Sequence, residues 1–485
     1  MEAASQLLGP VATDALGREQ PLPAALALAR RPEPTAVLTR TFVLGLPATR
    51  RQLDDALPAC RAAGAEALGL VTSSGPGRED EVRALLDLRP YAAVDAAGTS
   101  EWWLVSDLDE VATGRPLRHD HVLGVGGAST MLAQVTVRRP VARALDIGTG
   151  CGIQALHASR HAGHATATDV SPRALGLAGL NLALAGVTES VDLRQGNLLK
   201  PVRGELFDLV VSNPPFVVTP RRPDVALYSY RDGGLTGDRL VRDLVTSVGQ
   251  VLAPGGTAQL LASWEVREGA SWQDRVDTWV QDSGLDGWAV QRELQDPAQY
   301  AETWIRDGGV HCGPEFDRLY EAWLTDFAAR SVTALGFGLV VLHKPWDESR
   351  ARWRRLEEQY GPVRQPLGEH ISRCLDARDR LAGLDDAALL DTRWTVAADV
   401  TEERHYRPGD EDPSVILLRQ GGGFGRSVQV GTVVAGAVGA CDGELSVGQI
   451  AAALAALLGE PDGAVREQLL PAVRGLAGDA LLVPL

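Results

Sequence analysis

Lysine is almost missing from this chain: Lys200 and Lys344 stand against 45 arginines. Ala, Gly and Val abound beside those arginines, so the bias reads as GC-rich coding and carries no sign of phosphate binding. Positive charge is also in deficit, with 47 Lys and Arg against 63 Asp and Glu and a net charge of −16. A body this acidic repels phosphate backbones, which weakens the case for a nucleic-acid substrate. Cysteine is scarce: Cys60, Cys151, Cys312, Cys374 and Cys441 stand singly, without a C-x-x-C pair, so a disulfide scaffold is excluded and free thiols are expected. No apolar run is long. Val430 to Cys441 is the longest, is rich in glycine, and falls short of the roughly 20 residues that span a bilayer. Met1 to Gln6 lacks the basic and apolar regions of a secretory signal, so a cytoplasmic protein with no membrane partner is expected.

Against these absences stands the balance of a folded protein, 45% hydrophobic and 23% charged over 485 residues, too long for one core of usual size. Three domains are expected: residues 1–118, 119–346 and 347–485. The first is Ala/Leu-rich, with a helix-like stretch from Thr49 to Ala63 and a strand-like Glu101 to Ser106, and suggests a winged-helix-like fold or a helical cap. In the second, strand-sized apolar runs alternate with helical stretches, the pattern of a parallel α/β sheet. Seven strands are expected, at Arg143–Ile147, Ala165–Asp169, Val191–Gln195, Phe207–Ser212, Thr257–Ala262, Ala289–Glu293 and Phe337–His343. Glu348 to Glu358 reads as a charged, helix-like linker. In the third domain, strands Val415–Arg419 and Ser427–Val433 flank a glycine turn, and amphipathic helices Val447–Leu458 and Ala464–Leu476 again suggest a winged-helix-like fold.

The chemistry concentrates in the middle. Ala144-Leu145-Asp146-Ile147-Gly148-Thr149-Gly150-Cys151-Gly152 runs from an apolar strand into a glycine turn and a helix. Without Cβ atoms at Gly148, Gly150 and Gly152, backbone can approach a ligand closely, and the helix start offers free amides. A dinucleotide enzyme would show G-x-G-x-x-G. Here Asp146 ends the strand, where a carboxylate would repel pyrophosphate but suits the cationic amino-acid end of S-adenosylmethionine (SAM). Asp169 ends the next strand, placed to accept from two ribose hydroxyls, while Ser171 caps the following helix. Asn197, after the third strand, lies where a polar side chain would meet adenine. Phe207 to Phe216 then carries an apolar strand into Asn213-Pro214-Pro215-Phe216. Two prolines stiffen the backbone there. The Asn213 carboxamide oxygen and the Pro214 carbonyl can grip both hydrogens of an NH2 group and aim its lone pair at a methyl donor, with Phe216 stacking on a planar acceptor.

With these motifs in view, residues 120–262 resemble the catalytic core of class I SAM-dependent methyltransferases of the Asn-Pro-Pro-aromatic group. That resemblance implies a Rossmann-like sheet and SAM as cofactor, with no metal. The group includes glutamine methyltransferases of release factors and enzymes that methylate exocyclic amines of RNA bases. The Asn-Pro-Pro-Phe form occurs among the RNA enzymes, whereas Val217 to Pro220 and Tyr230 to Asp238 resemble the release-factor group more closely. The chain as a whole resembles actinobacterial methyltransferases with added flanking domains.

The expected reaction is in-line methyl transfer to an amide or amine nitrogen, in which the protein contributes alignment. A protein glutamine is favoured as acceptor; an RNA base amine and a small metabolite are the alternatives. A SAM-sensing, DNA-binding regulator is the reading outside enzymes, disfavoured by the intact Asn213 motif and the acidic charge. Three weaker signals are set aside. His157, His161 and His164 read as a solvated helix end, Gly421 to Gly425 as a hairpin, and the arginines from Arg350 to Arg355 as a solvated linker face.

Overall fold

A computed structural model describes residues 2–18, 20–95, 98–115 and 117–485. The chain divides into two units: the first comprises residues 1–133, 140–342 and 354–358, the second residues 134–139, 343–353 and 359–485.

The first unit begins with helices and a small sheet of β1 (Ala48–Thr49), β2 (Val71–Ser73) and β3 (Glu81–Ala84). The expected helix from Thr49 to Ala63 is broken into Arg50–Ala56 and Arg61–Ala67. Thr49 and Gln52 cap the first piece reciprocally, and Pro58, which cannot donate to a helical turn, separates it from the second. A two-stranded hairpin follows, β4 (Leu86–Asp95) and β5 (Gly98–Asp107), ten residues in each strand.

The main sheet contains β6 (Val141–Ile147), β7 (Ala162–Asp169), β8 (Val191–Gln195), β9 (Phe207–Ser212), β10 (Leu252–Arg267), β11 (Asp286–Gln295), β12 (Val332–His343) and β13 (Arg354–Glu358). Their order across the sheet is β13-β11-β12-β10-β9-β6-β7-β8. The pairs β6–β7, β7–β8, β6–β9, β9–β10 and β11–β13 are parallel. This is a Rossmann-like, doubly wound sheet. Its central strands read as continuous apolar runs because helices cover them, and Leu145, Phe207, Val210 and Leu260 are fully buried in the core on which they rest. Burying a side chain of that size contributes about 1.5–3 kcal/mol.

All seven expected strands are present, and an eighth corrects the reading of Glu348 to Glu358 as a helical linker. Residues 354–358 alternate with period two: Arg355 and Glu357 pair with each other beside Trp288, while Leu356 joins the core. A helical period would bury one of those charges, so the stretch extends along β11 instead.

The second unit holds β14 (Arg393–Val396), β15 (Val400–His405), β16 (Val415–Gln420), β17 (Ser427–Val430), β18 (Asp442–Ser446) and β19 (Leu482–Pro484), in sheets ordered β18-β14-β19 and β15-β16-β17. β16 and β17 pair antiparallel around the glycine turn. β17 ends at Val430, short of the expected Val433, and the apolar run continues as the helix Thr432–Gly439. Helices Val447–Leu458 and Asp462–Gly478 pack over a core containing Trp394, Ile450 and Leu469. Among the described residues no helix is long and apolar enough to cross a membrane.

Candidate active site

The sheet reverses its winding direction between β6 and β9, since β7 and β8 extend it to one side and β10 to the other. Ligands of doubly wound folds lie at such a switch point, beyond the carboxyl ends of the strands. Register makes those ends coincide. Ile147 of β6 is paired with Ser212 of β9 on one side and Thr168 of β7 on the other, and Asp169 is paired with Gln195 of β8. The Ser212 hydroxyl donates to the Ile147 carbonyl at 2.7 Å, tying the two central ends together. The glycine turn, Asp169, Asn197 and Asn213 therefore emerge side by side. They share the rim of a cavity of about 420 Å³, within the range of small-molecule sites.

Gly148, Gly150, Asp169, Asn197, Asn213 and Pro214 line this cavity, while Asp146, Gly152 and Phe216 lie outside its lining. Gly148 and Gly150 have φ of 73° and 56°, and a Cβ on either would meet nothing within 4 Å. Both glycines are therefore needed for backbone conformation at an open wall. Gly152 is needed for both backbone conformation and packing, with φ of 91° and a Cβ that would approach Ala178 Cβ to 3.1 Å. Asp146 is fully buried beneath the turn. Its Oδ2 accepts from the Thr149 hydroxyl at 2.6 Å and the Ala155 amide at 3.0 Å, and its Oδ1 has no partner among the described residues. Burial pushes its carboxyl up to about 7. Asp169 accepts from the Gly150 amide at 3.0 Å and the Ser171 amide at 2.9 Å, and burial raises its carboxyl above the usual range.

The segment after β9 is fastened from behind. Phe216 forms an antiparallel bridge with Asp232, its carbonyl accepts from the Ser263 hydroxyl, and the Val218 amide donates to the Tyr300 hydroxyl at 3.0 Å. This bridge draws the Phe216 ring against Trp304 and Phe337, with centroids at 6.3 and 5.0 Å, so the ring expected to stack on an acceptor packs in the protein. Asn213 is left at the rim with its Oδ1 buried and without a partner among the described residues.

The remaining wall comes from His119, His121, Arg221, Tyr228 and Tyr230. Of these, sequence reasoning named only Tyr230, as the start of a stretch resembling the release-factor group, and gave it no place in the site. Asp107, at the end of β5, accepts from the Val122 amide at 2.9 Å and from Arg173, and so pins the 119–124 lip. Burial lowers the His121 pKa, and its ring stands edge-on to Tyr230 with centroids 5.7 Å apart. Tyr230 donates to Asp307 at 2.9 Å, and Asp232 is engaged by Thr219 and by the Tyr228 amide at 2.5 Å. The aromatic pair in Tyr228-Ser229-Tyr230, just before the noted Arg231-Asp232-Gly233-Gly234, was the available signal. His157, expected in a solvated turn, is instead buried between Tyr91 and Trp102 of the hairpin, with Tyr91 at 2.9 Å from its Nε2. Its helix packs under the hairpin, which shields it from water.

The methyltransferase small domain family matches residues 124–268, and a domain of unknown function (DUF7059) matches residues 1–85. Curated relatives include the release factor glutamine methyltransferases of Gloeobacter violaceus, 38% identical over 24% of this chain and 45% of that one, and of Deinococcus radiodurans, 41% identical over 24% and 44%. The ribosomal protein uL3 glutamine methyltransferase of Bradyrhizobium diazoefficiens is 33% identical over 29% of this chain and 46% of its own. The chain thus spans somewhat less than half the length of these relatives. The middle of the chain is a class I SAM-dependent methyltransferase domain that resembles the glutamine methyltransferases.

Proposed function

We propose that this chain, built around that domain, transfers a methyl group from SAM to the side-chain nitrogen of a protein glutamine. The observation that carries the reading is the buried Asn213 Oδ1, an acceptor without a partner among the described residues at the rim of the switch-point cavity. An unmet buried acceptor costs about 1–3 kcal/mol, a cost that an N–H of the substrate removes on binding.

The residues present fit the cofactor. The open walls at Gly148 and Gly150 admit close approach of a ligand, Asp169 retains lone pairs for ribose hydroxyls, and Asn197 stands at the neighbouring strand end for the base. A cationic amino-acid end bound at the turn would favour the ionised form of Asp146, whose Oδ1 beneath the turn has no partner among the described residues and whose carboxyl burial otherwise holds up to about 7. When bound, SAM supplies an electrophilic methyl group on a positively charged sulfur. The chain's own part is alignment: Asn213 accepts from the amide and turns its nitrogen toward the donor, and Pro214 holds the peptide plane rigid. Tyr230 and His121 offer the aromatic surface facing the acceptor. The likeness to glutamine methyltransferases of release factors and of ribosomal protein uL3 and the acidic net charge favour a protein acceptor over an RNA amine.

The test is to incubate the purified protein with radiolabelled SAM and a cell lysate, then treat portions with protease and with RNase. Label lost only on protease treatment, and recovered as N-methylglutamine after enzymatic digestion of the protein, is the expected result. Label lost on RNase treatment would overturn the protein reading.

A further inference from the structure

Arg221 lines the same cavity as Asn213. Its Nε donates to the Leu235 carbonyl at 2.9 Å, which holds the guanidinium in place, while its Nη1 is buried with no partner among the described residues. A guanidinium cannot relieve such a position by losing its proton. The side chain is half-buried and Nη1 is the atom closed off from solvent, where a charged donor without an acceptor costs free energy that a bound oxygen would restore. The acidic side chains of the cavity wall do not explain it. Asp232 is engaged by Thr219 and the Tyr228 amide, and Asp169 by the Gly150 and Ser171 amides.

Three side chains of the lining carry a buried atom without a partner among the described residues, Asn213 Oδ1, Thr168 Oγ1 and Arg221 Nη1, and of these the acceptor on Asn213 and the charged donor on Arg221 are complementary. An aliphatic amine satisfies one of them. A peptide segment satisfies both, because beside the side-chain amide it brings main-chain carbonyls and, where acidic residues flank the glutamine, carboxylates. Resting on the glutamine reading above, we propose that Arg221 is a specificity-determining residue that takes a carbonyl or carboxylate oxygen of the peptide next to the methylated glutamine. Fixed N–H donors suit either oxygen, and the carboxylate gives the stronger bond.

The experiment uses the full-length protein at saturating SAM and tritium transfer to blocked hexapeptides carrying a central glutamine flanked by Gly, Asp or Lys. Arg221→Gln is expected to raise the peptide KM by about 10–100-fold, the usual scale for one charged hydrogen bond, with kcat within about threefold. SAM affinity by calorimetry is expected to stay within about twofold, and Arg221→Lys to recover part of the KM. A wild-type preference for Asp-flanked over Lys-flanked peptides that Arg221→Gln abolishes identifies the oxygen as a carboxylate; a uniform KM rise across the panel identifies a main-chain carbonyl. An Arg221→Gln protein with wild-type KM on a peptide that the wild type methylates overturns the proposal alone, as does a fall in kcat with KM intact. Failure of the wild type to methylate any glutamine peptide overturns the glutamine reading and this inference with it.

Discussion

Asn213→Ala removes the carboxamide, and with it the unmet Oδ1 acceptor, from the cavity wall. SAM affinity is expected to stay within about twofold while turnover falls on the order of 100–1,000-fold, by analogy with loss of one oxyanion-hole donor. Wild-type turnover by this variant would mean that the acceptor nitrogen is held elsewhere. Asp169→Ala acts on the other partner: calorimetry is expected to show SAM binding weakened by about 1.5–3 kcal/mol, and unchanged affinity would move the ribose site. Asp146 contributes through pH. A free aspartate titrates near 3.9, whereas burial holds this one up to about 7 in the ligand-free fold. Between those values the folded chain keeps a proton that the unfolded chain has lost, so this group's stabilisation is full below pH about 4 and fades as pH rises toward about 7. Asp146→Asn lacks that titration. Its melting temperature minus that of the wild type is expected to grow from about pH 5 to 7.5, and a flat difference would show the carboxylate already ionised in the fold. These residues were legible in the sequence because each ends an apolar strand. What each one touches was not. Phe216 reads as a stacking ring until its bridge to Asp232 turns it toward Trp304, and Arg221 has no local pattern at all.

The strands of the main sheet could be read because buried parallel strands are continuous apolar runs, and β13 was missed because charge hides a five-residue edge strand. The hairpin of β4 and β5 had its second strand in view but its purpose out of view. Asn181, fully buried on the helix Pro172–Leu184, accepts from the Val105 amide at 2.7 Å and donates to the carbonyls of Val105 and Cys151 at 2.9 and 2.8 Å. One carboxamide thereby joins the hairpin to the glycine turn. Asn181→Leu strands these groups without partners. It is expected to destabilise the first unit by about 2–4 kcal/mol in chemical denaturation and to weaken SAM binding through a loosened turn. Loss of stability with SAM affinity intact would show that the hairpin supports the fold but not the site. Such ties join residues far apart in sequence, which is why no spacing rule announces them.

The cavity is lined wholly by residues of the first unit. Trp394, 1% exposed, anchors the core of the second. Trp394→Ala is expected to cost that unit about 3–5 kcal/mol, with SAM affinity unchanged. In calorimetry, SAM at about 100 times its Kd is expected to stabilise the first unit by about 2.7 kcal/mol and leave the second where it was. A tenfold loss of SAM affinity in Trp394→Ala would show that the second unit shapes the site.

β13 has a consequence for the order in which the protein is made. The ribosome delivers β6 to β12 first, and residues 343–353 of the other unit must follow before the strand that closes the edge of β11 is synthesised. Until then the nascent sheet presents β11 with a row of unpaired amides and carbonyls, a template for pairing with a neighbouring chain. A polypeptide stopped before Arg354 keeps every cavity-lining residue yet leaves that edge bare, and its vulnerability is to association during synthesis.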